Sequence, residues 1–455
     1  MNAPGMSQKE FRKRLWTLVL PISFQQFMLS AVSAADAFML GGVSQDALSA
    51  VSLASQVTFV INMVVAALTS GVCILAAQYW GKGDRRTVEK IFAYALKLSV
   101  SVSLLFTVAA LAIPEVLMRF FTPDAGLIAQ GASYLRAVAV SYLLSGISQI
   151  YLCIFKNTDR AAASMRISSV SVVLNIVLNA VLIFGLFGAP RLEILGAAIA
   201  TVAARVVELL WCVLETARKD RVRYCMADLL HTQPWLRSDF WKYALPVLGN
   251  QIVWCLGFTM YSVIMGHLGS DAVAANSIAN IVKNLVSCFY CGLAAGGGIL
   301  IGNELGRGAL DTAKHLGSRL CRIALLAGVI SGAVTVALTP LVLWVVDLSV
   351  AARGYLIWML VVCFFNMIGH SMNMMTICGI FCAGGDSKFG LKCDIVIMWC
   401  VCVPLGLLTA FVLHWPVIAV FALLNLDEIM KLPAVYRNYQ KYKWVKDLTR
   451  KEDLT

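Results

Sequence analysis

Asp36 is an acid inside an apolar run, "SAVSAADAFML". Counting back, Ser33, Ser30 and Gln26 follow at steps of three, three and four, which places them on one face of a helix. An acid in this setting suits a proton carrier, and with further oxygen ligands it could hold Na⁺. A second stripe runs through "SMRISSVSVVLNIVLNAVLIFG", where Ser164, Ser168, Ser171, Asn175 and Asn179 again keep helical steps. The two asparagines can offer carbonyl oxygen to a cation or hydrogen-bond a protonated acid. Later in the chain, Asn276, Asn280, Lys283 and Ser287 line one side of an apolar segment, and Asn366, His370 and Asn373 line another. Lys283 can pair with a carboxylate, extend toward a membrane surface, or bind an anionic substrate. His370 titrates near neutrality as a free side chain.

These residues need a scaffold, and composition names its class. The 455 residues are 60% hydrophobic and 14% charged, with a mean hydropathy of +0.79. Soluble domains carry roughly 25% charge, and a membrane span needs about 20 apolar residues. The chain therefore reads as a polytopic membrane protein. Its net charge of +12 is not spread evenly. Lys and Arg gather in alternate connections, "GKGDRRTVEK", "FKNTDRAAASMR", "RKDRVR" and "GRGALDTAKHLGSRLCR" among them, and in both termini. The connections between, such as "GGVSQDA" and "GHLGSDA", are nearly bare. Cytoplasmic loops hold the Lys/Arg excess, so both termini are expected inside, and the charge reflects membrane topology rather than nucleic-acid binding.

The chain also repeats. Shifted by 225 positions, "LPISFQQ" meets "LPVLGNQ" and "DALSAVS" meets "DAVAANS", while Gly81 and Gly83 meet Gly306 and Gly308. Later "NTDR" meets "GGDS", and Glu208 meets Glu428. The reading is an all-α integral membrane protein of twelve spans in two parallel six-helix repeats. Residues 1–217 form the first lobe, 218–240 a cytoplasmic linker, 241–437 the second lobe and 438–455 a basic cytoplasmic tail. The first six spans run from 15–40 to 194–216, and the second six from 241–267 to 416–436. The start, a basic segment followed by an apolar stretch and small residues, imitates a signal peptide, but its full-length partner in the second half argues against cleavage.

No motif of a soluble enzyme occurs: there is no P-loop and no HExxH. "CFYC", Cys288 to Cys291, lies in an apolar segment without a second pair or a nearby His, so its thiols read as small buried hydrophobes. Arg205, Glu208, Asp427, Glu428 and Lys431 read as structural salt bridges toward the cytoplasmic ends of the sixth and twelfth spans.

The chain resembles the MATE family, multidrug and toxic compound extrusion, over essentially its whole length. The resemblance rests on "LPISFQQ" and "LPVLGNQ" opening the lobes, "AAQYWGKGD" and "IGNELGRGA" after spans 2 and 8, "FKNTDR" and "FCAGGDSK" after spans 4 and 10, and "NIVLNAVLIFG" in span 5. It implies a V-shaped antiporter, not an enzyme, that exports cationic or amphiphilic organic compounds in exchange for H⁺ or Na⁺ and uses no cofactor. Asp36 matches the family's span 1 acid and Asn175 its span 5 asparagine. Asn179 stands where many members carry a second acid, so this chain departs from a two-carboxylate relay. The candidate ion-coupling set, for H⁺ or for Na⁺ as a metal ligand set, is Asp36, Asn175 and Asn179. The candidate substrate cavity is lined by Gln26, Ser33, Gln56, Met63, Gln251, Tyr261, Asn280, Lys283, His370 and Asn373. Gln251 and His370 stand where other members place acids. Expected partners are small organic substrates and membrane lipids, with no nucleic acid. By analogy the protein is a monomer in a bacterial cell membrane. The alternative is a lipid-linked oligosaccharide flippase of the same broad superfamily. Twelve spans weigh against it and Lys283 weighs for it.

Overall fold

The structure is a computed structural model that describes residues 8–41, 45–188, 190–218, 221–230, 232–346 and 348–450. Of Ser33 and Asp36 only the backbone is described, and their side chains lie outside the described residues.

Helices make up the fold among the described residues. In the first half they are α1 (Gln8–Gly41), α2 (Gln45–Lys82), α3 (Arg85–Ala112), the short α4 (Pro114–Arg119), α5 (Ala125–Asn157), α6 (Ala161–Phe184) and α7 (Glu193–Ala217). A short α8 (Met226–Leu230) lies in the linker. The second half has α9 (Pro234–Gly266), α10 (Ser270–Gly306), α11 (Leu310–Ala337), the short α12 (Thr339–Val345), α13 (Val350–Phe381) and α14 (Ser387–Val412). Among the described residues, eleven helices are long and apolar enough to cross a membrane. The expected twelfth span is not one helix. It breaks into α15 (Val417–Leu424) and α16 (Asp427–Gln440), with Asn425 and Leu426 between them. Three charged residues, Asp427, Glu428 and Lys431, open α16 and interrupt the apolar run.

Two compact units divide the chain. The N-terminal unit holds residues 27–76 and 84–241, and the C-terminal unit holds 1–26, 77–83 and 242–455. The division falls inside α1, α2 and α9. The N-terminal unit buries Val51, Ile61, Leu135, Tyr142 and Ile183 in one apolar core. The C-terminal unit has two: one joins Phe11 and Leu15 of α1 to Leu300, Leu320, Ile380 and Trp444, and the other gathers Ile264, Leu356, Leu360 and Phe421.

The repeat is visible in single hydrogen bonds. Ser99 of α3 donates to the Gly146 carbonyl of α5 at 2.7 Å. At the positions 225 residues on, Ser371 of α13 donates to the Ala324 carbonyl of α11 at 2.8 Å. The contact is kept while the donor has moved to the opposite helix. Likewise Ser148 donates to Glu208 in the first half, and Asn373 to Glu428 in the second.

The duplicated glycine signals are turns. Gly83 has φ +85° and Gly308 φ +74°, the left-handed region that glycine occupies without steric cost. Asp84 then caps α3, its carboxylate accepting from the Thr87 amide at 2.9 Å. Gly81 and Gly306 serve another need. A side chain on Gly81 would overlap the Asn303 backbone, and one on Gly306 would overlap the Gln78 carbonyl. The ends of α2 and α10 thus touch backbone to backbone, each through its own glycine.

Residues 441–450, expected as a basic tail, are docked in the C-terminal unit. Trp444 is fully buried and stacks on Tyr439 at 5.6 Å. Gln78, also fully buried, donates to the carbonyls of Ala383 and Lys446 and accepts from the Leu448 amide. Lys82 donates to the Arg450 carbonyl at 2.7 Å. Gly384 permits this course, because a Cβ there would overlap the Trp444 carbonyl.

Candidate functional site

A buried charge cluster lies in the C-terminal unit. Lys431 of α16 is 3% exposed. Its ammonium stands 2.8 Å from Asp394 of α14, 3.1 Å from Glu428 and 3.7 Å from Asp427. Asp394 also accepts from the Asn250 amide of α9 at 2.6 Å. Glu428 accepts from the Asn373 amide of α13 at 2.7 Å. Helices α9, α13, α14 and α16 therefore converge on the cluster. Helical spacing aligns the α16 members: Asp427 and Glu428 precede Lys431 by four and three residues.

The local backbone is unusual at two of these residues. Directly after Asn373, α13 widens into π-helical turns over Met374–Phe381. Directly after Asp394, α14 does the same over Ile395–Cys402. Such turns often mark functional positions inside helices.

The charges do not balance, so the cluster is more than the salt bridge expected for Lys431. Three carboxylates share one ammonium. Isolated charges are costly to bury, and a buried ion pair stabilises only when its partners are complete. Lys283 is the next cation, but its ammonium bonds the Asn425 side-chain oxygen at 3.4 Å. Even counted with the cluster it leaves one negative charge over. The arrangement can take a proton on a carboxylate, or a hard cation that accepts oxygen ligands. The Asn373 side-chain oxygen, buried and without a hydrogen-bond partner among the described residues, is a further ligand of the right kind.

The repeat-related acid in the N-terminal unit, Glu208, is paired with one base. Glu208 of α7 is 1% exposed and meets Arg205 through both carboxylate oxygens, at 3.0 and 2.9 Å, with Ser148 at 2.5 Å. One acid faces one base. On the neighbouring helix, Asn175 donates to Thr201 of α7 at 3.3 Å and Asn179 donates to Asn175 at 3.2 Å.

Comparison with known proteins places the fold. The MatE family model matches residues 21–181 and again 246–434. The two matches start 225 positions apart, the interval of the repeat. The chain belongs to the MatE family.

It is 21% identical over 436 residues to the uncharacterized transporter YisQ of Bacillus subtilis, covering 94% of this chain and 93% of YisQ. It is 26% identical over 307 residues to the probable multidrug resistance protein NorM of Thermotoga maritima, covering 67% of this chain and 66% of NorM. With NorM of Vibrio cholerae the figures are 24% over 300 residues, 66% and 65%. Among solved structures it resembles a MOP superfamily transporter from Pyrococcus furiosus, with TM-score 0.87, 18% identity and coverage of 95% and 96%. The chain is thus a multi-span membrane protein of a transporter family.

Against this MatE fold the expected residues separate. Asn175 and Asn179 come together, buried, as one hydrogen-bonded pair. Tyr261 packs on an apolar core of the C-terminal unit, and Met63 is half-buried. Gln26 and Gln56 are exposed. Asn280 donates to Asn276 at 3.3 Å along α10. His370 pairs its Nδ1 with the Tyr290 hydroxyl at 2.8 Å. Asn373 joins the charge cluster. Gln251 is half-buried, and its neighbour Asn250 is the residue that reaches Asp394. Asp394 itself was missed. The signal was available in its charge, seven residues into an apolar span. Ser33 and Asp36 lie on α1, with side chains outside the described residues.

Proposed function

We propose that this chain is a secondary active multidrug efflux antiporter of the cell membrane. It exports cationic or amphiphilic organic compounds as a monomer, in exchange for H⁺ or Na⁺, by alternating access. The observation that carries the reading is the surplus of buried carboxylate around Lys431. A membrane protein that buries more acid than base has built a place for an exchangeable cation. The names of the NorM relatives support the multidrug part.

In this reading two groups of residues respond to the coupling ion. In the first half Asp36, with Asn175 and Asn179, takes up H⁺ or Na⁺ from outside. The change shifts α1 and weakens the hold on substrate. In the second half a cation on the Asp394, Asp427 and Glu428 group completes the charge that Lys431 leaves unbalanced. Asn250 and Asn373 hold two of the carboxylates in place. The lobes then rock inward, lose the cation to the cytoplasm and reload with substrate.

Reconstitution in liposomes tests this. Efflux of a fluorescent organic cation is followed under an imposed H⁺ gradient and then a Na⁺ gradient. The wild type is expected to transport with one gradient, and Asp36→Asn to lose that dependence. Undiminished gradient-driven transport by Asp36→Asn removes Asp36 from the mechanism.

One observation favours the flippase as a second reading. Lys283, about 20 Å along α10 from its start at 1.5 Å per residue, bonds Asn425 and has no carboxylate at ion-pair distance among the described residues. Such a cation suits the phosphate of a lipid-linked sugar. Translocation of a lipid-linked oligosaccharide, lost in Lys283→Met, would decide for it.

A further inference from the structure

In each half, the second and fourth long helices cross, and the halves fill the crossing differently. In the C-terminal unit glycine fills it: a Cβ on Gly298 of α10 would lie 3.1 Å from the Gly379 carbonyl of α13. The position 225 residues before Gly298 is Cys73 of α2. There the crossing is filled by sulfur, because Cys73 meets Cys153 of α5.

The two sulfurs stand 3.4 Å apart. Cys153 is buried and Cys73 half-buried. The Asn157 amide donates to Cys73 Sγ at 3.2 Å and to Cys153 Sγ at 3.5 Å, and also to the Cys153 carbonyl at 2.8 Å. The Cys153 thiol reaches the Thr69 carbonyl at 3.4 Å. The pair lies toward the ends of α2 and α5 that lead into basic connections, with Cys153 one helical turn before the end of α5.

We propose that Cys73 and Cys153 form an oxidisable thiol pair whose oxidant is a hydroperoxide. The Cys73 thiolate, the more accessible of the two, attacks the O–O bond, becoming a sulfenic acid and releasing an alcohol or water. The Cys153 thiol attacks the sulfenic sulfur, the S–S bond forms, and water leaves. In sum, two thiols and one hydroperoxide give one disulfide, one water and one alcohol, or two waters when the oxidant is hydrogen peroxide. The sulfurs already stand 3.4 Å apart, so the attacking thiol is beside the sulfur it must reach. The product ties α2 to α5. A dithiol reductant reverses it.

The test uses the full chain, purified reduced in detergent. It is exposed to hydrogen peroxide, denatured under acid, alkylated with N-ethylmaleimide and mapped by mass spectrometry. The expected result is a cross-linked Cys73–Cys153 peptide pair, lighter by two hydrogens and restored by dithiothreitol. In Cys73→Ser the oxidative loss of Cys153 alkylation falls at least tenfold. As a second probe, phenylarsine oxide should bridge the Cys73 and Cys153 peptides of the wild type with loss of water, and neither peptide should be bridged in the matching single variant. Full alkylation of both cysteines after peroxide overturns the proposal. So does oxidation of Cys153 that is unchanged in Cys73→Ser.

Discussion

Ala77 and Gly302, equivalent positions 225 residues apart, touch each other: a Cβ on Gly302 would lie 2.7 Å from the Ala77 Cβ. One helical turn on, the contacts become reciprocal, Gly81 on Asn303 and Gly306 on Gln78. The ends of α2 and α10 meet as like with like, as a residue does with its own copy at a two-fold interface. Small residues at these positions allow the approach.

The glycines of this turn should separate by role. Gly81→Ala meets backbone that cannot yield and should cost about 2–3 kcal/mol. Gly83→Asn has open space and a residue that tolerates the left-handed region, so it should cost under about 1 kcal/mol. Thermal unfolding in detergent should rank wild type, Gly83→Asn and Gly81→Ala in falling order. A Gly81→Ala protein as stable as wild type would contradict the packing.

Trp444 anchors the docked tail. Trp444→Ala should cost about 3–5 kcal/mol of local stability and free residues 441–450. Trypsin should then cut at Lys443 and Lys446 faster than in wild type. Equal cleavage would mean that Trp444 does not hold the tail.

The two buried acids related by the repeat should respond differently. Glu208 has one base and one hydroxyl as partners. Glu208→Leu leaves Arg205 unpaired and should destabilise by about 3–5 kcal/mol. Glu208→Gln keeps a hydrogen-bonding side chain, should fold, and should leave gradient-driven transport within about twofold, on the scale where a tenfold change is about 1.4 kcal/mol. Loss of coupling in a folded Glu208→Gln protein would move this pair into the mechanism.

Much of the scaffold was legible because bilayers constrain sequence strongly. Apolar runs and the 225-residue shift state most of the spans and the repeat directly. The charge cluster was half legible. Asp427, Glu428 and Lys431 share one helix, so their spacing announces them, whereas Asp394 lies on another helix and no periodicity links the two. Asn250 rather than its neighbour Gln251 reaches Asp394, because one residue turns a helix by about 100°. The docking of the tail is not legible in its Lys and Arg, because its order comes from one tryptophan and from glycines elsewhere. The break at Asn425 was hidden by the apolar run before it.

Asp427→Asn probes cation exchange at the acid group around Lys431. Asp427 is the most distant of the three acids, so Lys431 keeps Asp394 and Glu428 and the protein should fold. Efflux of a fluorescent organic cation from liposomes is measured for wild type and Asp427→Asn, with and without the H⁺ or Na⁺ gradient that drives the wild type. The variant should lose at least tenfold of its gradient-driven efflux, with substrate binding retained. Unchanged gradient-driven efflux by a folded Asp427→Asn protein would contradict cation exchange at this group.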